Sequence, residues 1–180
     1  MAKSISTESK INPKNRIFFT LAILFFAGLL LLNLLEIFKL HKFQPLGIGI
    51  DIVFLFSLAK RIQGKYTCEL RGKLLSFTQK NLWNTKTSTV DLSQIQGIYP
   101  YEAKLIGIMH FRRTFRFHSG LDNRKVWTIA YTVCTKAQKI ENERIYFKPD
   151  AAFLAELTKK LPGKINETDK NTILANLQNN

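Results

Sequence analysis

The sequence predicts a membrane-anchored α+β protein, in which an N-terminal two-helix transmembrane hairpin precedes an antiparallel β-barrel or sandwich of six to seven strands. Two long apolar runs in the first third of the 180-residue chain predict the hairpin. Short strand-like runs, followed by one amphipathic pattern, predict a sheet domain closed by a single C-terminal α-helix. The corresponding divisions are a flexible tail (1–16), the hairpin (17–59), a soluble domain (60–163) and a polar tail (164–180).

The first apolar run, residues 17–35, contains no charged residue. About 20 helical residues, each rising about 1.5 Å, cross a hydrocarbon core of about 30 Å. A cleaved signal peptide would have a shorter apolar core and a small-residue cleavage site, whereas this run ends in Leu34, Leu35 and Glu36. The run therefore predicts a transmembrane helix.

The second apolar run, residues 43–59, carries one charge, Asp51, and a proline, Pro45. We interpret it as a second span; a buried or interfacial helix is the alternative. An ionisable side chain inside the membrane costs about 2.5–3.5 kcal/mol on insertion scales and usually has a partner. Asn33 lies at a similar depth on the first helix, so we expect a polar clamp between the spans or between protomers, with an ion or proton site as the alternative.

Basic residues flank both apolar runs on their outer sides, which is typical of cytoplasmic flanks. We therefore expect both termini and the soluble domain to be cytoplasmic. The net charge of +14 would also attract the anionic inner leaflet. The residues concerned are Lys3, Lys10, Lys14 and Arg16 before the first run, and Lys60, Arg61, Lys65 and Arg71 after the second.

The soluble domain reads as a series of short strands. Residues 66–70 and 74–78 flank Gly72, which predicts a hairpin. Residues 89–99 predict a strand, a short turn and a new strand. Further strand patterns cover 105–117, 126–133 and 144–148.

A helix then begins after Asp150, a predicted N-cap, and ends at Pro162. Its apolar stripe would bury Phe153, Leu157 and Leu161 in the core. In the polar tail beyond it, the alternatives are a loose chain and a short amphipathic helix around residues 173–177.

This order of elements resembles the bacterial membrane-flanked proteins with a pleckstrin-homology-like (PH-like) domain. Three pieces carry the resemblance: the strand pair 66–75, the stretch 90–98, and residues 145–150 leading into Phe153 and Leu154. The resemblance implies a PH-like barrel or sandwich in the bacterial inner membrane. It implies a fold and supplies no catalytic residues.

A basic ridge is the strongest surface signal in the domain. Phe111, Phe115 and Phe117 are spaced as core residues, with arginines between them. Such a ridge could bind lipid phosphates or an acidic protein, and a solvated strand face is the alternative. Nucleic acid is not expected, because stacking bases would need exposed rings. The predicted ridge consists of Arg112, Arg113, Arg116, Arg124 and Lys125.

No catalytic, phosphate-binding or metal-binding motif occurs, so we expect a non-enzymatic protein without a cofactor. Cys68 and Cys134 are too few for a disulfide scaffold or a zinc site and predict buried free thiols. The leading hypothesis is an interaction module for anionic lipid head groups or a protein partner, with homo-oligomers forming through the helices. An immunity protein against a membrane-active toxin and a small subunit of a transport or assembly complex are the alternatives.

Overall fold

The computed structural model describes residues 4–40, 45–81, 83–103, 111–135 and 138–165, and within them the chain is α+β. The helices are α1 (Pro13–Leu40), α2 (Pro45–Gln63) and α3 (Ala151–Lys160). The strands are β1 (Ile5–Glu8), β2 (Lys65–Arg71), β3 (Leu74–Lys80), β4 (Thr85–Asp91), β5 (Ile95–Pro100), β6 (Arg113–Phe117), β7 (Trp127–Cys134) and β8 (Ile140–Phe147).

Helices α1 and α2 pack side by side. The rings of Phe26 and Phe54 stack with centroids 4.8 Å apart, and Asn33 contacts Asp51 further along the pair. Because a later residue of α1 meets an earlier residue of α2, the two helices are antiparallel. Gly47 lies opposite Asn33, and a Cβ placed there would be 3.5 Å from the Asn33 amide nitrogen. A small residue at this position allows the close approach.

Within the described residues, α1 is the one helix long and apolar enough to cross a membrane. The core helix of a soluble protein can have the same composition, but no residue of the apolar segment of α1 is buried. Helix α2 has 19 residues and includes Asp51, Lys60 and Arg61. Its role as a second span stays a prediction at this point.

The strands form two four-stranded sheets, ordered β1-β2-β3-β4 and β5-β7-β8-β6. The hairpin predicted around Gly72 is confirmed, with this glycine at φ +59° between β2 and β3. A single 3-10 turn, Leu92–Gln94, carries the chain from the first sheet to the second. This matches the strand, turn and new strand predicted for residues 89–99.

Two sequence predictions about the strands are wrong. The described part of residues 60–163 contains seven strands, β2 to β8, within the predicted six to seven, but β6 runs parallel to β8 in a domain predicted as antiparallel. Residues 5–8 of the predicted flexible tail form β1, which pairs antiparallel with β2 from Ile5 opposite Leu70 to Glu8 opposite Thr67. Both errors have the same cause, because each strand pairs with a segment far away in the sequence.

The C-terminal end also differs from the prediction in detail. The backbone N–H of Ile98 donates to the carbonyl of Lys164 at 2.8 Å, and Ile98 forms a parallel bridge with Ile165. The first two residues of the predicted polar tail therefore belong to the fold. The rest of that tail, and residues 105–110 of the predicted strand, lie outside the described residues.

The core lies between the two sheets, and α3 covers part of it. Phe77 of the first sheet contacts Phe117 and Phe147 of the second, with ring centroids 5.6 and 5.7 Å away. Helix α3 begins as predicted, since the Asp150 carboxylate accepts a hydrogen bond from the N–H of Phe153 at 2.8 Å. Its residues Phe153, Leu157 and Leu161 are buried in the same cluster, and full burial of each such side chain contributes about 1.5–3 kcal/mol.

The two cysteines have different environments. Cys68 is buried in the core as predicted, and its burial raises the pKa of the thiol well above the ordinary value. Cys134 is exposed at the end of β7, so the prediction of a second buried thiol is wrong. Because Cys68 is buried, a thiol reagent would reach Cys134 first.

Candidate membrane-facing surface

A network of hydrogen bonds and one salt bridge connects the residues just before α1 with the β6–β7 loop. The Asp122 carboxylate accepts hydrogen bonds from the Ser9 hydroxyl at 2.8 Å and from the Lys10 N–H at 3.1 Å. It also forms a salt bridge with Arg124, whose Nη2 lies 2.7 Å away. The same guanidinium donates to the carbonyl of Glu8 at 2.6 Å. Arg124 is therefore partly buried in an internal contact, and its role in a binding ridge stays a prediction.

Lys148 and Asn12 also form hydrogen bonds with the β6–β7 loop. Lys148 is 8% exposed, and its ammonium donates to the carbonyl of Ser119 at 3.2 Å and to that of Asp122. The N–H of Asn12 donates to the carbonyl of Leu121 at 3.0 Å. These bonds position the start of α1 against the domain.

The network shifts the pKa of two of its members. Burial alone would raise the pKa of Asp122, but hydrogen bonds from Arg124 and Ser9 outweigh it and hold the pKa below the ordinary value. Burial lowers the pKa of Lys148, and the nearby Asp122 partly opposes that shift. The Asp122 carboxylate is therefore a charged anchor for the N-terminal segment at neutral pH.

The remaining members of the predicted ridge are distributed along β6 and beyond it. Arg112 forms a salt bridge with Glu141. Arg113, Arg116 and Lys125 are exposed and form no salt bridge within the described part of the chain. The ridge as predicted is thus reduced to three exposed cations that face solvent.

The phenylalanines next to the ridge follow the predicted core spacing in part. Phe117 is buried, and Phe115 packs against the core with Lys86 of β4 5.1 Å from its ring centroid. Phe111 is half-buried and lies under the guanidinium of Arg144, 4.7 Å from it. Strand β6, the edge of the second sheet, is therefore close to the beginning of β4.

Sequence reasoning did not identify the surface where the helices join the domain. One cavity of about 560 Å³ is lined by Lys60 and Arg61 of α2, Tyr66 of β2, Asn81 after β3, and the loop 119–121. Another of about 560 Å³ lies between residues 8–16 and residues 62–65. We call the segments around these cavities, residues 9–16, 57–66, 79–86 and 118–125, the helix-proximal surface.

The helix-proximal surface is strongly basic. Its first three segments contain no acidic residue, the exposed Glu8 borders the second cavity just before the first segment, and the one acid of the fourth segment, Asp122, is already paired with Arg124. Such a charge distribution attracts anionic surfaces. The basic residues of the first three segments are Lys10, Lys14, Arg16, Lys60, Arg61, Lys65, Lys80 and Lys86.

The two polar residues predicted to lie within the membrane, Asn33 and Asp51, are in contact. The Asn33 amide nitrogen donates to the Asp51 carboxylate at 2.8 Å, and Asp51 is 5% exposed. This is the geometry of a clamp between α1 and α2 of one chain. Within the described residues, no three His, Cys, Asp or Glu side chains are grouped so that they could hold a metal ion.

Comparison with family models, with curated proteins and with solved structures found no match to this chain. Its function therefore has to be argued from its own geometry.

Proposed function

We propose that this is a two-span, non-enzymatic protein of the bacterial inner membrane, which holds a PH-like interaction domain on the cytoplasmic face against anionic lipid head groups. The pairing of β1 with β2 carries the proposal. These strands are neighbours in one sheet, and the chain between them consists of α1 and α2. Hydrogen-bonded strands lie on the same side of a membrane, so a chain that leaves through α1 has to return, and α2 is the segment that can return it.

Helix length and exposure support the same topology. The 19 residues of α2 would extend about 28 Å, of which the part before Lys60 covers about 22 Å, against a hydrocarbon thickness of about 30 Å. Large apolar side chains are exposed along both helices, among them Phe18, Leu24 and Phe38 of α1 and Leu46 and Val53 of α2. Contiguous apolar surface of this kind needs a lipid or protein cover.

The charge of the helix-proximal surface supports lipid as the partner of the domain. Both helices enter the domain at this surface, so it would lie at the head groups when they span the bilayer. Each Lys or Arg near an anionic leaflet contributes about 1 kcal/mol of attraction. The exposed residues Arg113, Arg116 and Lys125 would extend the basic surface beyond the immediate junction.

The arrangement of the strands supports the PH-like part of the proposal. Two four-stranded sheets enclose one core, and a C-terminal helix packs on it. Homo-oligomer formation through the helices stays a prediction. The Asn33–Asp51 contact already satisfies Asp51 within one chain, so the proposal does not require a second copy.

Thiol labelling in cells tests the topology. The exposed Cys134 reports the domain, and Lys39→Cys in a Cys134→Ser background reports the far end of α1, where Lys39 is exposed. We expect an impermeant maleimide to label Lys39→Cys in intact cells with an opened outer membrane, and Cys134 only in inside-out vesicles. Buried Cys68 is the internal control. Labelling of both positions from the same side would contradict the proposal.

A further inference from the structure

The turn between β3 and β4 presents a tryptophan to the outside. Trp83 is 81% exposed, the highest exposure of any large apolar side chain among the described residues. The turn is closed by a hydrogen bond from the N–H of Asn81 to the carbonyl of Asn84 at 2.9 Å. An indole ring held outward on a closed turn is available for contact with something outside the domain.

The position of this turn indicates what that contact is. Trp83 lines a cavity of about 280 Å³ together with Phe56, Ala59 and Lys60 of α2. Beside Trp83, the sequence of α2 changes from apolar to basic. Residues 52–56 are apolar, and the next charged residues are Lys60 and Arg61. A change from apolar to basic along a spanning helix marks the membrane–water interface.

From these two observations we infer that the β3–β4 turn inserts Trp83 into the interfacial layer of the bilayer beside α2. The cavity then holds the head-group region of a membrane phospholipid, with its phosphate towards Lys60 and its acyl chain against Phe56. This inference rests on the proposed function, because it requires α2 to reach the bilayer at Lys60. Tryptophan suits this layer, since its ring is apolar and its N–H still finds a hydrogen-bond partner there.

Trp83 would be a third point of attachment between the domain and the bilayer, in addition to the two helices. The helices join the domain through residues 9–12, which the Asp122 network holds against it, and through residue 64, where α2 joins β2. Trp83 lies on the turn that leads into β4, and in the first sheet β3 and β4 lie on the other side of β2 from β1. Insertion of Trp83 would therefore fix the domain at a third point and determine which of its faces is turned to the cytoplasm.

Tryptophan fluorescence of the full chain in liposomes tests the inference. The chain has two tryptophans, and the other one, Trp127, is 6% exposed in the core. The variant Trp83→Phe replaces an exposed side chain and is the matched control, so subtracting its emission from that of the wild type isolates Trp83. We expect lipids brominated near the head of the acyl chain to remove most of the Trp83 emission, and aqueous iodide to leave most of it.

The controls separate the two proposals. The Trp127 emission of Trp83→Phe should respond little to either quencher, because the ring is buried. Protein that floats with the liposomes while its Trp83 emission is quenched by iodide and not by brominated lipid would overturn this inference and leave the membrane topology standing. Protein that does not float would overturn both.

Discussion

Asp51 lies between α1 and α2, and its carboxylate accepts a hydrogen bond from the Asn33 amide at 2.8 Å. Within a bilayer this contact replaces hydration that neither side chain could otherwise obtain. It also defines the relative register of the two helices, because Gly47, one turn before Asp51, lies against Asn33. A polar pair of this kind orients a helix pair that apolar contacts alone would leave free to rotate.

A double-mutant cycle of Asn33→Ala and Asp51→Ala measures this contact. We expect a coupling free energy of about 0.6–1.7 kcal/mol, the range found for hydrogen bonds between membrane helices. Unfolding by dodecyl sulfate in mixed micelles gives the free energies. The matched control pairs Asn33→Ala with Thr20→Ala, because the Thr20 hydroxyl bonds to Arg16 within its own helix. Additive effects of Asn33 and Asp51 would contradict the clamp.

Like Asp51, Asp122 connects two segments of the chain. Its carboxylate binds the N-terminal segment to the β6–β7 loop. Its pKa lies below the ordinary value of 3.8, so the ionised carboxylate favours the folded state. This stabilisation is complete above the ordinary pKa and is lost as the pH falls through the folded-state pKa. The network is therefore fully formed at near-neutral pH.

The variant Asp122→Asn tests this role through its pH dependence. We expect it to be less stable than the wild type at about pH 6, because Arg124 loses its charged partner. The difference in free energy of unfolding should shrink as the pH falls below the ordinary carboxyl pKa of 3.8 towards the lower pKa of the folded state. Urea unfolding followed by the emission of Trp127 measures it. A difference that stays constant over this range would show that the carboxylate charge is not what stabilises the network.

At the scale of elements, local pattern explains what could be predicted. The uncharged run of α1, the glycine turn between β2 and β3, and the capped apolar stripe of α3 are each encoded within a few neighbouring residues. Strand β1 is different, because Ile5 is a single apolar residue in a polar stretch and finds its partner Leu70 far along the chain. What stabilises β1 is the open edge of β2 and the burial of Thr7, whose hydroxyl donates to Asp150 at 3.0 Å.

Removing β1 should therefore make β2 an edge strand of the first sheet. For a chain that begins at Ser9, we expect faster hydrogen exchange at those β2 amides that face β1 and little change in β3, which keeps both of its neighbours. Mass spectrometry of the two proteins in micelles measures the exchange. Unchanged exchange throughout β2 would mean that β1 contributes nothing to the sheet.

At the scale of the whole molecule, composition predicts the net positive charge, but it does not predict the surface on which the basic residues gather. The predicted ridge joined residues by their closeness in sequence, and the structure assigns one of its members, Arg124, to an internal salt bridge. The helix-proximal surface instead collects cations from four segments that only the fold brings together. Trp83 was visible in the sequence as an apolar residue in a polar stretch, but its position beside α2 depends on where β3 ends.

The position of these charges predicts how lipid composition affects stability. In nanodiscs, anionic lipid should raise the melting temperature of the wild-type domain relative to neutral lipid, and Lys60→Gln with Lys80→Gln should reduce this increase. The matched control is Lys73→Gln with Lys159→Gln. These lysines lie near the β2–β3 turn, where Lys160 bonds to the carbonyl of Gly72, at the end of β2 away from the helices. Equal effects of the two pairs would contradict a lipid-facing role of the helix-proximal surface.

The pairing of β1 with β2 also has a consequence for the timing of synthesis. Ile5 leaves the ribosome first, but its partner Leu70 is made 65 residues later, which at about 5–20 residues per second is a wait of roughly 3–13 s. Both helices are made during that wait. If α1 and α2 both span the bilayer as proposed, a chain in which only α1 has crossed leaves β1 and β2 on opposite sides, so the first sheet is completed only once α2 has returned β2 to the side of β1.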